Sequence, residues 1–297
     1  MSAAGGQGAF TTAGRTRGRF GAVLARFPLH VVIIVLALLW MTPTIGLLVS
    51  SFRPASLVST TGWWTAFQTP FQFTLDNYAN VLAQNGMARS FLNSLIITIP
   101  GTVLPVLVAG FAAYAFAWMK FPGRNALFIF VVALLVVPIQ MTLIPVLRLY
   151  TDLKLVSTFP GIWLAHTAYG LPLAVFLLRN FFGALPKEVI ESAQLDGASS
   201  VGIFFRIILP LSVPALASLA IFQFLWVWND LLVALVYLQS PNLAPMTLTI
   251  NNLVSSFGSQ WQLLTAAAFI SMALPLVVFF SLQRYFVEGI TAGAVKG

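Results

Sequence analysis

Charge is distributed along this chain in a way that leaves few folds open. Uncharged windows run from Arg26 to Arg53, Arg89 to Lys120, Arg124 to Arg148, Lys154 to Arg179, Arg206 to Asp230 and Leu231 to Gln283. Each is long enough for the roughly 20 apolar residues that cross a hydrocarbon core. Only 7% of the 297 residues are charged, 15 basic and 7 acidic, where a soluble domain carries about 25%. So few charges cannot cover a soluble fold of this size. That excludes a water-soluble enzyme and a disordered chain, and leaves a polytopic, all-α membrane protein. No Cys is present, so disulfides, thiolate metal sites and Cys nucleophiles are excluded. A net charge of +8 raises the question of nucleic acid. No basic patch with interleaved aromatics supports it, and in so apolar a chain basic residues mark cytoplasmic loops.

The windows predict six transmembrane helices, over 29–49, 91–117, 125–147, 158–180, 212–238 and 263–284. Residues 1–28 read as a disordered cytoplasmic tail, 50–90 as an extracytoplasmic segment, 239–262 as a polar loop and 285–297 as a cytoplasmic C-terminal tail. A cleaved signal peptide is the competing reading of the N-terminus, but the apolar run after Arg26 is too long and no small-x-small site follows it. With the N-terminus inside, Arg15, Arg17, Arg19, Arg26, Lys120, Arg124, Arg179, Lys187, Arg206, Arg284 and Lys296 are cytoplasmic. Arg53, Arg89, Arg148 and Lys154 are outside. This asymmetry predicts both termini in the cytoplasm. Prolines inside the predicted spans, among them Pro100, Pro105, Pro138, Pro172 and Pro275, predict kinks around an internal cavity.

One inner loop, 181–211, is longer than the others. Pro186 suits a helix start, Glu188 and Glu191 suit its N-terminal half, and Gly197 permits a turn. Ser199 and Ser200 can cap a second helix over Val201 to Leu209 that stops at Pro210. The loop is read as helix, turn, helix. Its mixture of acidic, small and apolar side chains suits docking of a basic partner. A helix lying on the membrane would want Lys and Arg on its polar face instead.

Glu191-Ser192-Ala193, then Gly197, then Ile207-x-Leu209-Pro210 matches the EAA loop of ABC importer permeases, with Ser192 where Ala is usual. Leu195-Asp196-Gly197-Ala198, Lys120-Phe121-Pro122-Gly123-Arg124, Trp228-Asn229-Asp230 and the ending Gly289 to Gly297 resemble the maltose-type carbohydrate branch. Thr61-Gly62-Trp63-Trp64 with Phe73 to Tyr78 is similar to α-glucoside importers. The resemblance covers 29–297. It implies a type I ABC importer permease fold with a core over 91–284. It also implies a partner set: a second, homologous permease chain, two P-loop ATPase subunits and an extracytoplasmic sugar-binding protein, in a bacterial or archaeal cytoplasmic membrane. ATP and Mg would bind the ATPase partners, and this chain holds no cofactor. It has no Gly-x4-Gly-Lys-Ser/Thr loop to cradle phosphates. The ATPase-docking residues carried over are Glu191, Ser192, Ala193, Asp196, Gly197 and Ala198. Gly293, Val295 and Lys296 of the tail are a second candidate contact, with a frayed terminus as the plainer reading.

Intramembrane polar groups mark a solute path. Gln223, Trp226 and Asp230 are spaced to share one helical face, with Asn229 beside them. An aromatic plate with amide and carboxylate groups suits a sugar, although Asn229 and Asp230 could equally brace neighbouring helices. Gln140, with Thr142, could line the same cavity. His166, with no second ligand at metal spacing, is a weaker path candidate and reads more simply as a packing residue. No catalytic or metal site is read. Other ABC solutes such as glycerol phosphate, or a channel or secondary carrier, are the alternatives. A carrier would not need a docking loop and is often built from paired broken helices.

Overall fold

The computed structural model describes residues 14–68, 72–83, 86–256 and 260–294, and among them every regular element is helical. Helix α1 spans Gly14–Ser51. The segment after it folds as α2 (Ala55–Thr60), a 3₁₀ turn (Trp63–Phe67) and α3 (Asp76–Ala83). The core follows as α4 (Met87–Trp118), α5 (Arg124–Ala133), α6 (Ile139–Asp152) and α7 (Phe159–Gly183). Next come α8 (Lys187–Leu195), α9 (Ser200–Ile203), α10 (Leu209–Leu211), α11 (Val213–Trp228) and α12 (Leu232–Tyr237). The chain ends in α13 (Met246–Ser256) and α14 (Trp261–Ala294). Among the described residues four stretches are long and apolar enough to cross a membrane, and six if each of two bent pairs counts as one span.

The centre of the bundle is the pairing of α4 with α7. Gly101, Pro105, Ala109 and Ala113 recur every fourth residue on α4, and His166, Gly170 and Ala174 do so on α7, and all are buried. Such stripes let two backbones approach closely, which is how apolar helices gain packing energy where lipid is as greasy as they are. Trp163 donates to the Ile96 carbonyl at 2.8 Å and Trp118 to that of Phe182 at 3.0 Å, so the two helices run parallel in constant register. Helix α11 joins them through Gln223, whose amide donates to the Gly101 carbonyl at 3.1 Å. It reaches α14 through Trp228, which donates to the Ser271 carbonyl at 3.0 Å.

The structure departs from the sequence reading in several places. The predicted span 125–147 is two helices, α5 and α6, at 103° to one another. Pro138 has no N–H and pushes Val137 into extended geometry (φ −74°, ψ 115°), so the helix ends there. Within the predicted span 212–238, helix geometry stops at Trp228 and resumes at Leu232. The polar stretch 239–262 is not all loop. It contains α13, whose Met246 and Leu253 are buried. The polar residues that suggested a loop are bonded to neighbours: Ser94 Oγ accepts from the Met246 N–H at 2.9 Å, and Asn93 donates to the Asn242 and Ala244 carbonyls. Helix already runs from Gly14, inside the predicted disordered tail, and α14 continues to Ala294, beyond the predicted end at 284.

Sequence reading treated Arg53 only as an outer charge. It is fully buried. Its guanidinium donates to the Gly62 carbonyl (3.0 Å), Thr61 Oγ1 (2.6 Å), Thr65 Oγ1 (3.1 Å) and Gln72 Oε1 (3.1 Å). Burial lowers its pKa from the usual value, and these acceptors offset the desolvation of the charge. Asn77 closes the base by donating to the Ser51 and Arg53 carbonyls at 2.9 and 2.8 Å. This segment of short helical turns is therefore folded around one cation. Replacing Arg53 with Met strands these acceptors at about 1–3 kcal/mol each where they stay buried. Arg53→Met should make the bonds between residues 54 and 68 protease-sensitive in intact vesicles while the 87–256 core stays resistant. Equal resistance of variant and wild type would show that the guanidinium does not hold the segment.

Candidate functional site

Two places gather the residues singled out by sequence. The first is the α8 turn. Helix α8 ends in a closed hydrogen-bond pattern: the Ala198 N–H reaches the Ala193 carbonyl at 3.0 Å and the Gly197 N–H reaches that of Gln194 at 3.1 Å. This is the Schellman arrangement, and its C′ residue must be left-handed. Gly197 occupies it with φ +82°. A Cβ built on Gly197 would meet nothing within 4 Å. Its absence is therefore required by backbone conformation, and it also leaves the outer face bare. Ser199 caps the next helix, accepting from the Gly202 N–H at 3.1 Å. The predicted stop at Pro210 is a π-turn over Phe204–Ile208 that runs through α10 to Leu211. Because Pro210 lacks an N–H, the turn before it is free to widen.

Only the inner edge of this knob is packed. Ile190, Ile203, Phe204 and Ile208 are buried with Ala109, Ala113, Leu178 and Phe182 of α4 and α7. Tyr114 ties the second helix to α4 by donating to the Ser200 carbonyl at 3.0 Å. On the outer side Glu191, Ser192, Asp196, Gly197 and Ala198 are exposed, Ala193 is half-buried, and Leu195 is 89% exposed. Among the described residues no ion pair forms to Glu188, Glu191 or Asp196. The knob is a rigid apolar foot carrying unpaired carboxylates around a protruding leucine. Leu195 was noticed in the sequence only as part of a motif; the structure makes it the most exposed large apolar side chain of the knob.

The second place is a cavity of about 700 Å³ between the α5/α6 bend, α7 and the end of α11. Trp226, Asn229, Asp230, Tyr169 and Thr142 line it. Asp230 does not share a helical face with Gln223 and Trp226, because the helix has ended. Its carboxylate accepts from the Val233 N–H (3.2 Å) and the Ala234 N–H (3.1 Å), capping α12, and its carbonyl accepts from Thr247 at 2.6 Å. Asn and Asp compete with the helical backbone for just such bonds. Gln223 is buried between α4 and α7 and is not on the cavity wall. Gln140 is exposed and also off the wall. His166 is buried behind it, with Nε2 3.9 Å from Asp230 Oδ2 and its ring perpendicular to Trp226 at 5.5 Å. Gly293 lies in α14, whereas Val295 and Lys296 lie outside the described residues. Among the described residues no group of three His, Cys, Asp or Glu gathers as metal ligands. The lining contains one carboxylate and no Lys or Arg.

Residues 101–292 match the family described as binding-protein-dependent transport system inner membrane component. The chain is 60% identical over 275 residues to the osmoprotective compounds uptake permease protein GgtD of Synechocystis, covering 91% of this chain and 92% of that one. It is 58% identical over 235 residues to the alpha-glucoside transport system permease protein AglG of Rhizobium meliloti, covering 77% of this chain and 62% of the relative. A chain of the crystal structure of a bacterial ABC transporter involved in the import of the acidic polysaccharide alginate superposes with a TM-score of 0.73. At 22% identity, over 93% of this chain and all of that one, it is similar in fold.

The Gly197 geometry separates two demands on one residue. Asn tolerates φ > 0, and a β-branched residue there costs about 1–2 kcal/mol. Gly197→Val should therefore speed amide exchange across 187–198 roughly tenfold, and Gly197→Asn should leave it near wild type. Equal exchange in both variants would show that the turn does not depend on the left-handed residue.

Proposed function

The chain belongs to the family of binding-protein-dependent transport system inner membrane components, and on that premise we propose that it is the permease subunit through which an ATP-driven importer moves a neutral carbohydrate, an oligosaccharide or α-glucoside, across the cytoplasmic membrane. It is a multi-pass membrane component and not an enzyme; ATP hydrolysis belongs to a separate subunit. The carrying observation for coupling is the knob. A hydrolysing partner with a basic-rimmed apolar groove would receive Leu195, with Glu191 and Asp196 at the rim. Ser192, Ala193, Gly197 and Ala198 let its backbone approach closely. Two such ATPases, a second and homologous permease chain, and an extracytoplasmic binding protein complete the assembly. The knob and both termini face the cytoplasm, which supports Gly293, Val295 and Lys296 as a second contact with the ATPases. The excess of Lys and Arg on that side supports this orientation.

The relatives named for α-glucosides, arabinooligosaccharides and melibiose, raffinose and stachyose support the solute class. So does the cavity. An anionic solute such as glycerol phosphate would meet Asp230 and no cation, a poor setting for a charge leaving water. A channel or secondary carrier has no use for three unpaired carboxylates on a protruding turn.

The chain contains no Cys, so single cysteines report directly. Lys187→Cys, at the exposed start of α8 and outside the docking face, should react in sealed cells with a membrane-impermeant thiol reagent only after the membrane is permeabilised. In the reconstituted complex, Leu195→Glu should lower ATP-dependent uptake of labelled sucrose, trehalose or maltose at least about tenfold while assembly in the membrane persists. Labelling of Lys187→Cys in sealed cells, or full uptake by Leu195→Glu, would overturn the coupling role.

A further inference from the structure

The break between α11 and α12 places a tryptophan, an amide and a carboxylate together on the wall of a cavity large enough for an oligosaccharide. Ligand sites commonly enclose about 300–1,000 Å³, and this one encloses about 700 Å³. Building on the carbohydrate reading above, we infer that this chain itself holds a neutral-sugar subsite there, with Trp226 as its contact platform and His166 as a positioning residue that touches no solute.

Trp226 is the most open residue of the last turn of α11, where Phe224 and Leu225 are half-buried. It is 39% exposed, while Val227 and Trp228 beside it are buried. Trp228 has a structural use, its N–H held by Ser271. Trp226 has no hydrogen bond among those of the described residues; what it has is a ring standing at 86° behind it, His166. An indole held on one side and open on the other is the geometry in which a pyranose can lay its C–H face against a π surface. Polar groups share the cavity wall with it. Asn229 is exposed on the wall, and each Asp230 oxygen uses a lone pair on α12 and keeps another. Across the cavity, Thr142 and Tyr169 stand 3.2 Å apart, and Tyr169 is 2.8 Å from Tyr237. The rest of the wall is aliphatic, including Val137, Val146 and Leu232. Few polar anchors on an apolar wall favour binding that is weak enough to release, as a path requires.

His166 reaches both halves of this set from α7. Its ring fixes the plane of Trp226, and its Nε2 lies beyond direct hydrogen-bond range of Asp230 Oδ2, at 3.9 Å. It is 1% exposed and absent from the cavity wall. The ring is therefore the part of His166 that the subsite uses.

The test uses the assembled permease–ATPase complex in permeabilised vesicles, with Asn229→Cys as a reporter in this Cys-free chain. Its alkylation is followed on this chain's own peptide by mass spectrometry. Excess sucrose, trehalose or maltose should slow the reaction at least about threefold, and glycerol phosphate should not. Adding Trp226→Leu or His166→Ala should abolish protection, and His166→Phe, which keeps a ring, should restore it. If Asn229→Cys fails to assemble, Leu231→Cys reports on the same cavity. Protection that survives Trp226→Leu, or that His166→Phe fails to restore, overturns the subsite while leaving carbohydrate import intact. Wild-type complex that imports none of the three sugars overturns the carbohydrate reading and the subsite with it.

Discussion

Inside hydrocarbon a backbone N–H or C=O released from a helix has no water to turn to, so each break must be answered by the protein itself. The structure answers its breaks in different ways. At the α5/α6 bend Pro138 simply has no N–H to satisfy, and the Val137 N–H closes on the Leu134 carbonyl at 3.2 Å. At the α10/α11 bend of 75° the Ser212 N–H bonds the Ile208 carbonyl at 3.0 Å and also lies 3.2 Å from that of Leu209. At the α11/α12 break there is no proline to excuse the interruption. A carboxylate and a threonine hydroxyl take over the work of the missing helical turn. A polar residue at such a place is thus first a condition of the break existing at all. Its availability to solute is a second use of the same atom.

The tight α4–α7 pair is what allows the breaks to occur elsewhere. Its stripe of glycine and alanine fixes two long helices in parallel register, and Gln223 pins α11 to the same seam. A Cβ on Gly170 would lie 2.6 Å from the Gln223 amide nitrogen, and one on Gly101 would press on Val227 at 3.2 Å. With the seam this close, α5, α6 and α12 can bend around a cavity without the bundle coming apart.

Much of this was legible in the residues. Uncharged windows located the apolar helices because lipid tolerates so few charges, and the loop around Glu191 to Pro210 was read as helix, turn, helix, with its turn at one left-handed glycine. What was not legible depended on partners far away in sequence. Helix α13 looked like loop because its Asn, Thr and Ser residues have low helical preference. Asn93, Ser94 and Ser90 supply the bonds that make it a helix, and only tertiary contact can override propensity in this way. Arg53 looked like a solvated charge, since nothing local shows that four acceptors converge on it. Asp230 was placed on a helical face because a spacing of four residues implies one only while the helix lasts. His166, read as a packing residue or a weak path candidate, packs against the one tryptophan that faces the cavity.

Helices α4 and α7 both pack under the knob, and α7 runs on from there to the cavity wall. Tyr114, which holds the knob, and Gly101, on which an added Cβ would lie 3.4 Å from His166, are thirteen residues apart on α4, about 20 Å at 1.5 Å per residue. Leu178, under the knob, and His166 are twelve residues apart on α7, about 18 Å. Of the two helices only α7 lines the cavity, through Ala168, Tyr169 and Pro172; α4 backs it in parallel register. Between those ends each helix carries one proline, Pro105 on α4 and Pro172 on α7. Each removes a backbone bond and softens its helix locally, and in this register the two soft points face nearly the same level. Pro172 itself lines the cavity. A bend at Pro172 would therefore reshape the cavity wall directly, whereas a bend at Pro105 would act on it only through the α4–α7 seam.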